Sequence, residues 1–265
     1  MRQQRLERIL ELLARDGHVS VARVREELGT SDATARRDLD SLAQQRLVVR
    51  THGGASVLAS SGYERPLADK ASVRAEAKEA VGRAASALVA VGDVVGVNGG
   101  TTTAEVARAL ARADRLSPAD GSRGFTLVTN ALTIAVEVAA RPHARVVMTG
   151  GTVRHRSLEL SGPAARRSLE EVVLDVAVLG VEGVDARFGA TTADAGEADI
   201  GRALAAAAHR VVVVADAAKH GRTGPQRLLE LEGVDVLVTD RAPDEPLAGA
   251  LAEAGVRVVI AVPAG

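Results

Sequence analysis

Arg36 and Arg37 sit side by side in the segment SDATARRDLDSLAQQ, whose apolar residues recur at helical spacing. On a wheel of about 100° per residue, Ala35, Leu39 and Leu42 share one face. Arg36, Arg37, Asp40 and Gln44 project on the opposite side, with Thr34 and Ser41 on a flank. Guanidinium groups presented this way can pair with phosphate or make a two-pronged bond to a guanine edge. Asp38 falls near the buried face and is expected to make an internal hydrogen bond. An arginine pair alone is usually just a solvated helix face, so the weight falls on the elements around it.

A second group of residues suits a small anion. In GDVVGVNGGTTTAEVARAL a strand runs into a glycine-rich turn, three threonines and a helix. Gly99 and Gly100 let a ligand approach the backbone, whose N–H groups at a helix N-terminus favour phosphate or carboxylate, and Thr101, Thr102 and Thr103 add hydroxyl donors. The pattern is neither G-x-G-x-x-G nor G-x-x-x-x-G-K-[ST], so dinucleotide and nucleoside-triphosphate sites are disfavoured and no cofactor is expected. Taken alone, such a turn is as readily helix capping as a site. Other strand ends add similar groups: Thr129-Asn130, Thr149-Gly150-Gly151, Glu182-Gly183, Thr191-Thr192, and Lys219 just after Asp216. Ligands of parallel α/β sheets bind beyond the carboxyl ends of the strands, and together these groups suggest a pocket for a polyhydroxylated anion with Lys219 as countercharge.

The elements that must position the arginines are short. Leu6, Ile9, Leu10 and Leu13 mark one face of a first helix ending at Asp16-Gly17. Ser20 is placed to cap a second helix, with Val21, Val24 and Leu28 inward and Gly29 closing it. Thr30-Ser31 precede a third helix over roughly residues 32–44, and LVVRTHGGASV reads as a small hairpin, or wing. Two helices, a tight turn, a third helix and a hairpin are the parts of a winged helix-turn-helix, the domain assigned to residues 1–56. Residues 57–71 collect Ser, Gly and Pro without periodicity and read as a linker.

Residues 72–265 alternate apolar runs with helical stretches. Strands are expected at 94–97, 126–129, 145–149, 176–180, 211–215, 234–239 and 256–261, and helices at 102–113, 131–140, 197–209 and 245–254. Runs this continuously apolar are buried on both faces, which predicts a Rossmann-like α/β domain with a parallel sheet under helices.

Composition narrows the function. Aromatic residues are 1% of the chain, which removes the stacking platforms used for single-stranded nucleic acid. There is no Cys, so disulfides, thiolate metal sites and cysteine nucleophiles are excluded. The charged N-terminus lacks a signal peptide's apolar core, and no stretch approaches the roughly 20 apolar residues of a membrane span. A cytoplasmic protein with no membrane partner is expected. Residues 1–55 carry ten Lys/Arg against eight Asp/Glu, too mild an excess to indicate nucleic acid without the motif.

The resemblance rests on longer patterns. Arg5-x3-Ile9-x3-Leu13, followed by Ser31-x2-Thr34-Ala35-Arg36-Arg37-Asp38-Leu39 and then Arg50-Thr51-His52-Gly53-Gly54-Ala55, resembles the helix-turn-helix and wing of the DeoR family of bacterial regulators. GTTT, VTN, LELSGPAA, LGVEGVD and ADAAKHGR resemble that family's sensor domain, so the similarity spans residues 2–261. The resemblance implies a repressor of sugar-metabolism genes that binds double-stranded operator DNA. Ser31, Thr34, Arg36 and Arg37 would face DNA from the third helix, and Arg50, Thr51 and His52 from the wing. It also implies a sensor fold similar to sugar-phosphate isomerases and acyl-CoA transferases, with a phosphorylated sugar as effector. The implied ligand residues are Asn98, Gly100, Thr101, Thr102, Asn130, Gly151, Glu182 and Lys219. Asn98 and Glu182 stand where Asp is common in the family, and Gly201 where Lys is frequent, which bears on which ligand fits. A homodimer or homotetramer is implied, since paired modules read paired half-sites.

Two alternatives stay open. A sugar-phosphate isomerase fused to a DNA-binding domain would need a general base, for which Glu182 and Asp216 are the candidates and the Asn98 amide is not. The large domain could also serve only for oligomerisation.

Overall fold

The computed structural model describes residues 2–16, 18–44, 47–51, 53–56 and 70–262. His52 and residues 57–69 of the expected linker lie outside the described residues. The chain divides into two compact units, residues 1–64 and 65–265.

The smaller unit holds α1 (Arg2–Asp16), β1 (His18–Ser20), α2 (Val21–Leu28), α3 (Asp32–Gln44), β2 (Val49–Thr51) and β3 (Gly54–Ser56). Ser20 caps α2 by accepting the Arg23 N–H at 3.1 Å, and Gly29 ends that helix with φ 58°, a conformation glycine adopts without strain. Ser31 caps α3 by accepting the Thr34 N–H at 3.2 Å. Ile9, Leu13, Val24, Ala35, Leu39 and Leu42 are buried in one shared core. Leu12 is buried as well, and Leu10 only partly. The hairpin forms with Thr51 opposite Gly54, and its β3 also pairs with β1, giving a three-stranded sheet. The sequence reading has no strand at His18–Ser20, because three residues are too few for a visible alternation.

The larger unit is built on a seven-stranded parallel sheet in the order β15-β14-β12-β9-β4-β5-β6. These strands are β4 (Val94–Val97), β5 (Phe125–Thr129), β6 (Ala144–Met148), β9 (Val176–Gly180), β12 (Val211–Val214), β14 (Val236–Thr239) and β15 (Arg257–Ile260). Each of the seven expected runs supplies one of them. Side chains alternate across the sheet: Val212 and Val214 join one core with α4 (Ala75–Ser86), α5 (Thr101–Arg112) and α6 (Leu132–Ala139). Val211 joins α8 (Ala195–Ala206) on the opposite face, and Val213 joins α9 (Leu247–Glu253) there. Helices on both faces explain why the strands are mostly apolar.

Smaller elements lie above the strand ends: a hairpin of β7 (Thr152–Arg154) and β8 (Glu159–Ser161), the short α7 (Pro163–Arg167), and an antiparallel sheet of β10 (Gly183–Asp185), β11 (Gly189–Thr192) and β13 (Gln226–Leu229). From β4 the chain winds outward to β5 and β6, then returns to β9 on the other side of β4 and continues to β15. The winding therefore reverses between β4 and β9, which opens a crevice between their carboxyl ends.

Candidate functional site

In the smaller unit the exposed face of α3 is built from below. Asp38 is buried, and Arg5 of α1 donates to its two carboxylate oxygens at 2.8 and 3.4 Å. This pair joins the first and last parts of the signature, 33 residues apart, and fixes the rotation of α3 about its axis. The internal bond expected of Asp38 is formed, and the same rotation leaves Arg36 and Arg37 exposed. Among the described residues neither arginine has an ion-pair partner, so both guanidinium groups face solvent with their charge uncompensated.

The flanking residues are more committed. The Ser31 and Thr34 hydroxyls bond each other at 2.9 Å while Ser31 caps the helix. Arg50 pairs with Asp40 of α3 at 2.7 Å and also donates to the Gly54 carbonyl, so it braces the wing against the helix. Thr51 is exposed on the wing strand.

In the larger unit the crevice between β4 and β9 gathers most of the expected ligand residues. Asn98 and Gly180 are locked together. The Asn98 amide donates to the Gly180 carbonyl at 3.0 Å and accepts the Gly180 N–H at 2.8 Å, closing the two strand ends. Both polar atoms of that side chain are thus engaged with backbone. Gly99 has no room for a side chain, since a Cβ there would lie 2.3 Å from the Glu159 side chain. Its N–H donates to Glu159 at 3.1 Å, and Asn130 donates to the same oxygen at 3.1 Å. Glu159 is a buried carboxylate that the sequence reading does not single out, and it takes up the Gly99 N–H.

Anion-binding capacity moves one residue along. Gly100 (φ 137°) starts α5 without any side-chain cap, and the Thr103 hydroxyl is spent on the Gly100 carbonyl. Thr101 and Thr102 are half-buried at this uncapped N-terminus, and their hydroxyls make no hydrogen bond among the described residues. Asn130 is fully buried, and its Oδ1 has no hydrogen-bond partner while its Nδ2 has two. Gly151 (φ 121°) lies on the outer side, where its missing Cβ lets the β7–β8 hairpin close: a Cβ would fall 2.6 Å from the Ser161 carbonyl.

Two residues past Gly180, Glu182 is gripped by two lysines. Lys219 donates to one carboxylate oxygen at 2.7 Å and Lys70 to the other at 2.5 Å. Burial alone would push this carboxyl up, but the two ammonium groups outweigh it and hold the group down at about 2. Beneath them the buried Lys78 donates to the Lys70 carbonyl at 2.5 Å, and burial lowers its pKa against the attraction of Asp216. Asp216 accepts the Ala218 N–H and pairs with Arg74 at 3.1 Å, and Arg74 also reaches Asp240 at 2.5 Å. Lys70 falls within the stretch read as linker, and Arg74 and Lys78 lie in a segment without any recognised motif. The one available signal was their charge, which an ordinary solvated helix also carries.

Position 201 does not belong to this pocket. Gly201 is buried in α8 against β13, and a Cβ would meet Leu228 at 2.7 Å. A further cluster ties the hairpin to α8: Arg154 pairs with Glu197 at 2.7 Å and Asp194 at 3.4 Å. No helix among the described residues is long and apolar enough to cross a membrane.

Comparison with known proteins matches both units. Residues 5–61 match a DeoR-like helix-turn-helix domain and residues 73–241 the DeoR C-terminal sensor domain. The chain is 36% identical over 256 residues to the HTH-type transcriptional regulator GlpR of Haloferax volcanii, covering 97% of this chain and 96% of that one. It is 31% identical over 240 residues to the glycerol-3-phosphate regulon repressor of Escherichia coli K12, covering 91% of each. It is 30% identical over 260 residues to the putative aga operon transcriptional repressor of Escherichia coli O157:H7, covering 97% of this chain and 93% of that one. With both domain types present in one chain and relatives matched nearly end to end, the protein belongs to the DeoR family of transcriptional regulators.

Proposed function

We propose that this chain is a repressor that binds operator DNA through α3 and the wing, and whose binding is modulated by a phosphorylated sugar in the crevice between β4 and β9. The observation that carries this reading is the convergence at that crevice of an uncapped helix N-terminus, two unengaged threonine hydroxyls and a lysine-rich cluster. The relative named as a glycerol-3-phosphate regulon repressor supports the ligand class. On this reading the N–H groups of Gly100, Thr101 and Thr102 and the two free hydroxyls take the phosphate, with Lys219 as countercharge. The unpartnered Asn130 Oδ1 accepts a sugar hydroxyl, since a buried acceptor calls for a donor. Asn98 and Gly151 shape the walls. Arg36 and Arg37 contact DNA, while Ser31, Thr34 and Arg50 set the position of α3 and the wing, and Thr51 and His52 approach the backbone. The chain acts as a homodimer or homotetramer in the cytoplasm.

Regulation requires the effector to bind the DNA-competent and DNA-incompetent forms with different affinity. The test selects a DNA fragment with the full chain from a random pool, then measures gel shifts against a panel of pentose, hexose and triose phosphates. One member is expected to change DNA affinity at least tenfold and to raise the melting temperature, with about 2.7 kcal/mol of stabilisation at 100 times Kd. A panel in which nothing changes either quantity overturns the effector part and leaves the large domain as an oligomerisation module.

An isomerase reading has weaker support. A base held at about 2 has little drive to take a proton from a sugar carbon near neutral pH, and Asp216 is engaged by Arg74. Turnover of any sugar phosphate that disappears in Glu182→Gln would favour it instead.

A further inference from the structure

The segment 70–74 is fastened to the crevice by ion pairs and by hydrogen bonds to its backbone. Ala71, Ser72, Val73 and Arg74 are all exposed, and Val73 keeps 41% of its surface, so this stretch buries no large apolar side chain. Its attachments are Lys70 to Glu182, the Lys70 carbonyl to Lys78, and Arg74 to Asp216 and Asp240. These contacts reach the loops after β9, β12 and β14. Lys70, Lys78, Lys219 and Arg74 face Glu182, Asp216 and Asp240 in the cluster, and Glu105 adds its attraction on Lys78. Along the chain, residues 57–69 alone separate Lys70 from the last strand of the winged unit.

Glu182 presents one oxygen to each lysine, the arrangement an anionic ligand would adopt between two ammonium groups. We propose that Lys70 is a second anion-binding lysine of the effector site, and that Glu182 holds between Lys70 and Lys219 the place that the effector's phosphate takes, so that binding moves Lys70 from Glu182 to the phosphate. This rests on the effector reading above and names a further residue of that site. A phosphate monoester carries about −1.5 to −2 charge and three acceptor oxygens, against one charge and two oxygens for the carboxylate. The Lys70, Lys219 and Glu182 side chains are 22%, 24% and 32% exposed, and the exchange favours the more highly charged partner. Arg74 keeps its pairs with Asp216 and Asp240, so the exchange changes the partner of Lys70 and leaves the rest of the segment in place.

The test uses the full chain, inorganic phosphate and glycerol 3-phosphate as probes, and two readouts: calorimetric affinity and backbone hydrogen exchange over residues 70–80. In the wild type, both probes are expected to slow exchange in this segment, because Lys70 passes to a more highly charged partner. Glu182→Gln removes the internal competitor, so it should tighten probe binding about tenfold and speed exchange without any probe. Lys70→Gln should speed exchange equally yet weaken probe binding about tenfold, and Lys70→Arg should restore most of both. Wild-type probe affinity and slow exchange retained in Lys70→Gln overturn the role of Lys70 while leaving the effector reading intact. Absence of probe binding in both the wild type and Glu182→Gln overturns the phosphate reading of the pocket, and the role of Lys70 with it.

Discussion

The two units treat their cations in opposite ways. On α3, Arg36 and Arg37 stand exposed without any acidic partner, while the one buried acid of that helix, Asp38, is occupied by Arg5. In the crevice of the larger unit, Lys70, Lys219 and Arg74 are each paired with a carboxylate. The difference follows from the partner each surface serves. A polyanion such as DNA gains affinity from cations whose charge is not already spent, since each phosphate neutralised releases a counterion. A pocket for a small effector must instead remain stable when empty and change when filled, and internal ion pairs allow both.

The largest expected effect breaks the first side of this comparison. Arg36→Ala with Arg37→Ala should lower DNA affinity at least about 30-fold, as loss of two good contacts of about 1–3 kcal/mol each implies. The slope of affinity against salt should fall as well, while the melting temperature stays put. Unchanged affinity in a gel shift would remove α3 as the reading element. Next comes the support beneath it: Arg5→Ala leaves Asp38 buried without its guanidinium and should lower the denaturation midpoint of the smaller unit in chemical denaturation. An unchanged midpoint would mean that the pair does not hold α3 in place.

Smaller effects probe the crevice. Gly99→Ala pushes a methyl group into Glu159 and should destabilise the larger unit by about 1–2 kcal/mol, with the cost reduced in Gly99→Ala/Glu159→Ala. The smallest is a pH effect. The Glu182 carboxyl is held at about 2 against an ordinary 4.5, so its pairing stabilises the fold fully above about pH 4.5 and is lost as pH falls toward 2. Melting temperatures measured from pH 5 to 2.5 should drop more steeply in the wild type than in Glu182→Gln. Parallel slopes would show that the lysine pair contributes nothing to stability.

Much of the architecture was legible because its signals are local. Seven apolar runs become the seven strands of the parallel sheet, since burial on both faces leaves few polar positions in the central strands, while Arg145 and Arg257 stand on the edge strands β6 and β15. Ser20, Gly29 and Ser31 bound their helices as expected, because caps act within three or four residues. The three-residue strands β1, β7, β8 and β10 carry too few residues to show a period, and α4, rich in alanine and flanked by the expected linker, was not singled out. In the candidate site, the turn at Gly100–Thr102 and the residues Glu182 and Lys219 could be read from strand-end chemistry. Glu159 could not, because its importance comes from lying against Gly99 and Asn130, 60 and 29 residues away.

The uncompensated charge on Arg36 and Arg37 was already written in the sequence, since the spacing of Ala35, Leu39 and Leu42 dictates which side of α3 faces water. The pairing of the crevice lysines was not. Lys70 and Glu182 are 112 residues apart, and nothing in either neighbourhood specifies the other. Periodicity and capping depend on neighbours along the chain. Ion pairs depend on which segments the tertiary fold brings together: Glu182 and Lys219 meet because β9 and β12 are neighbours in the sheet, and Lys70 reaches them from the segment before α4.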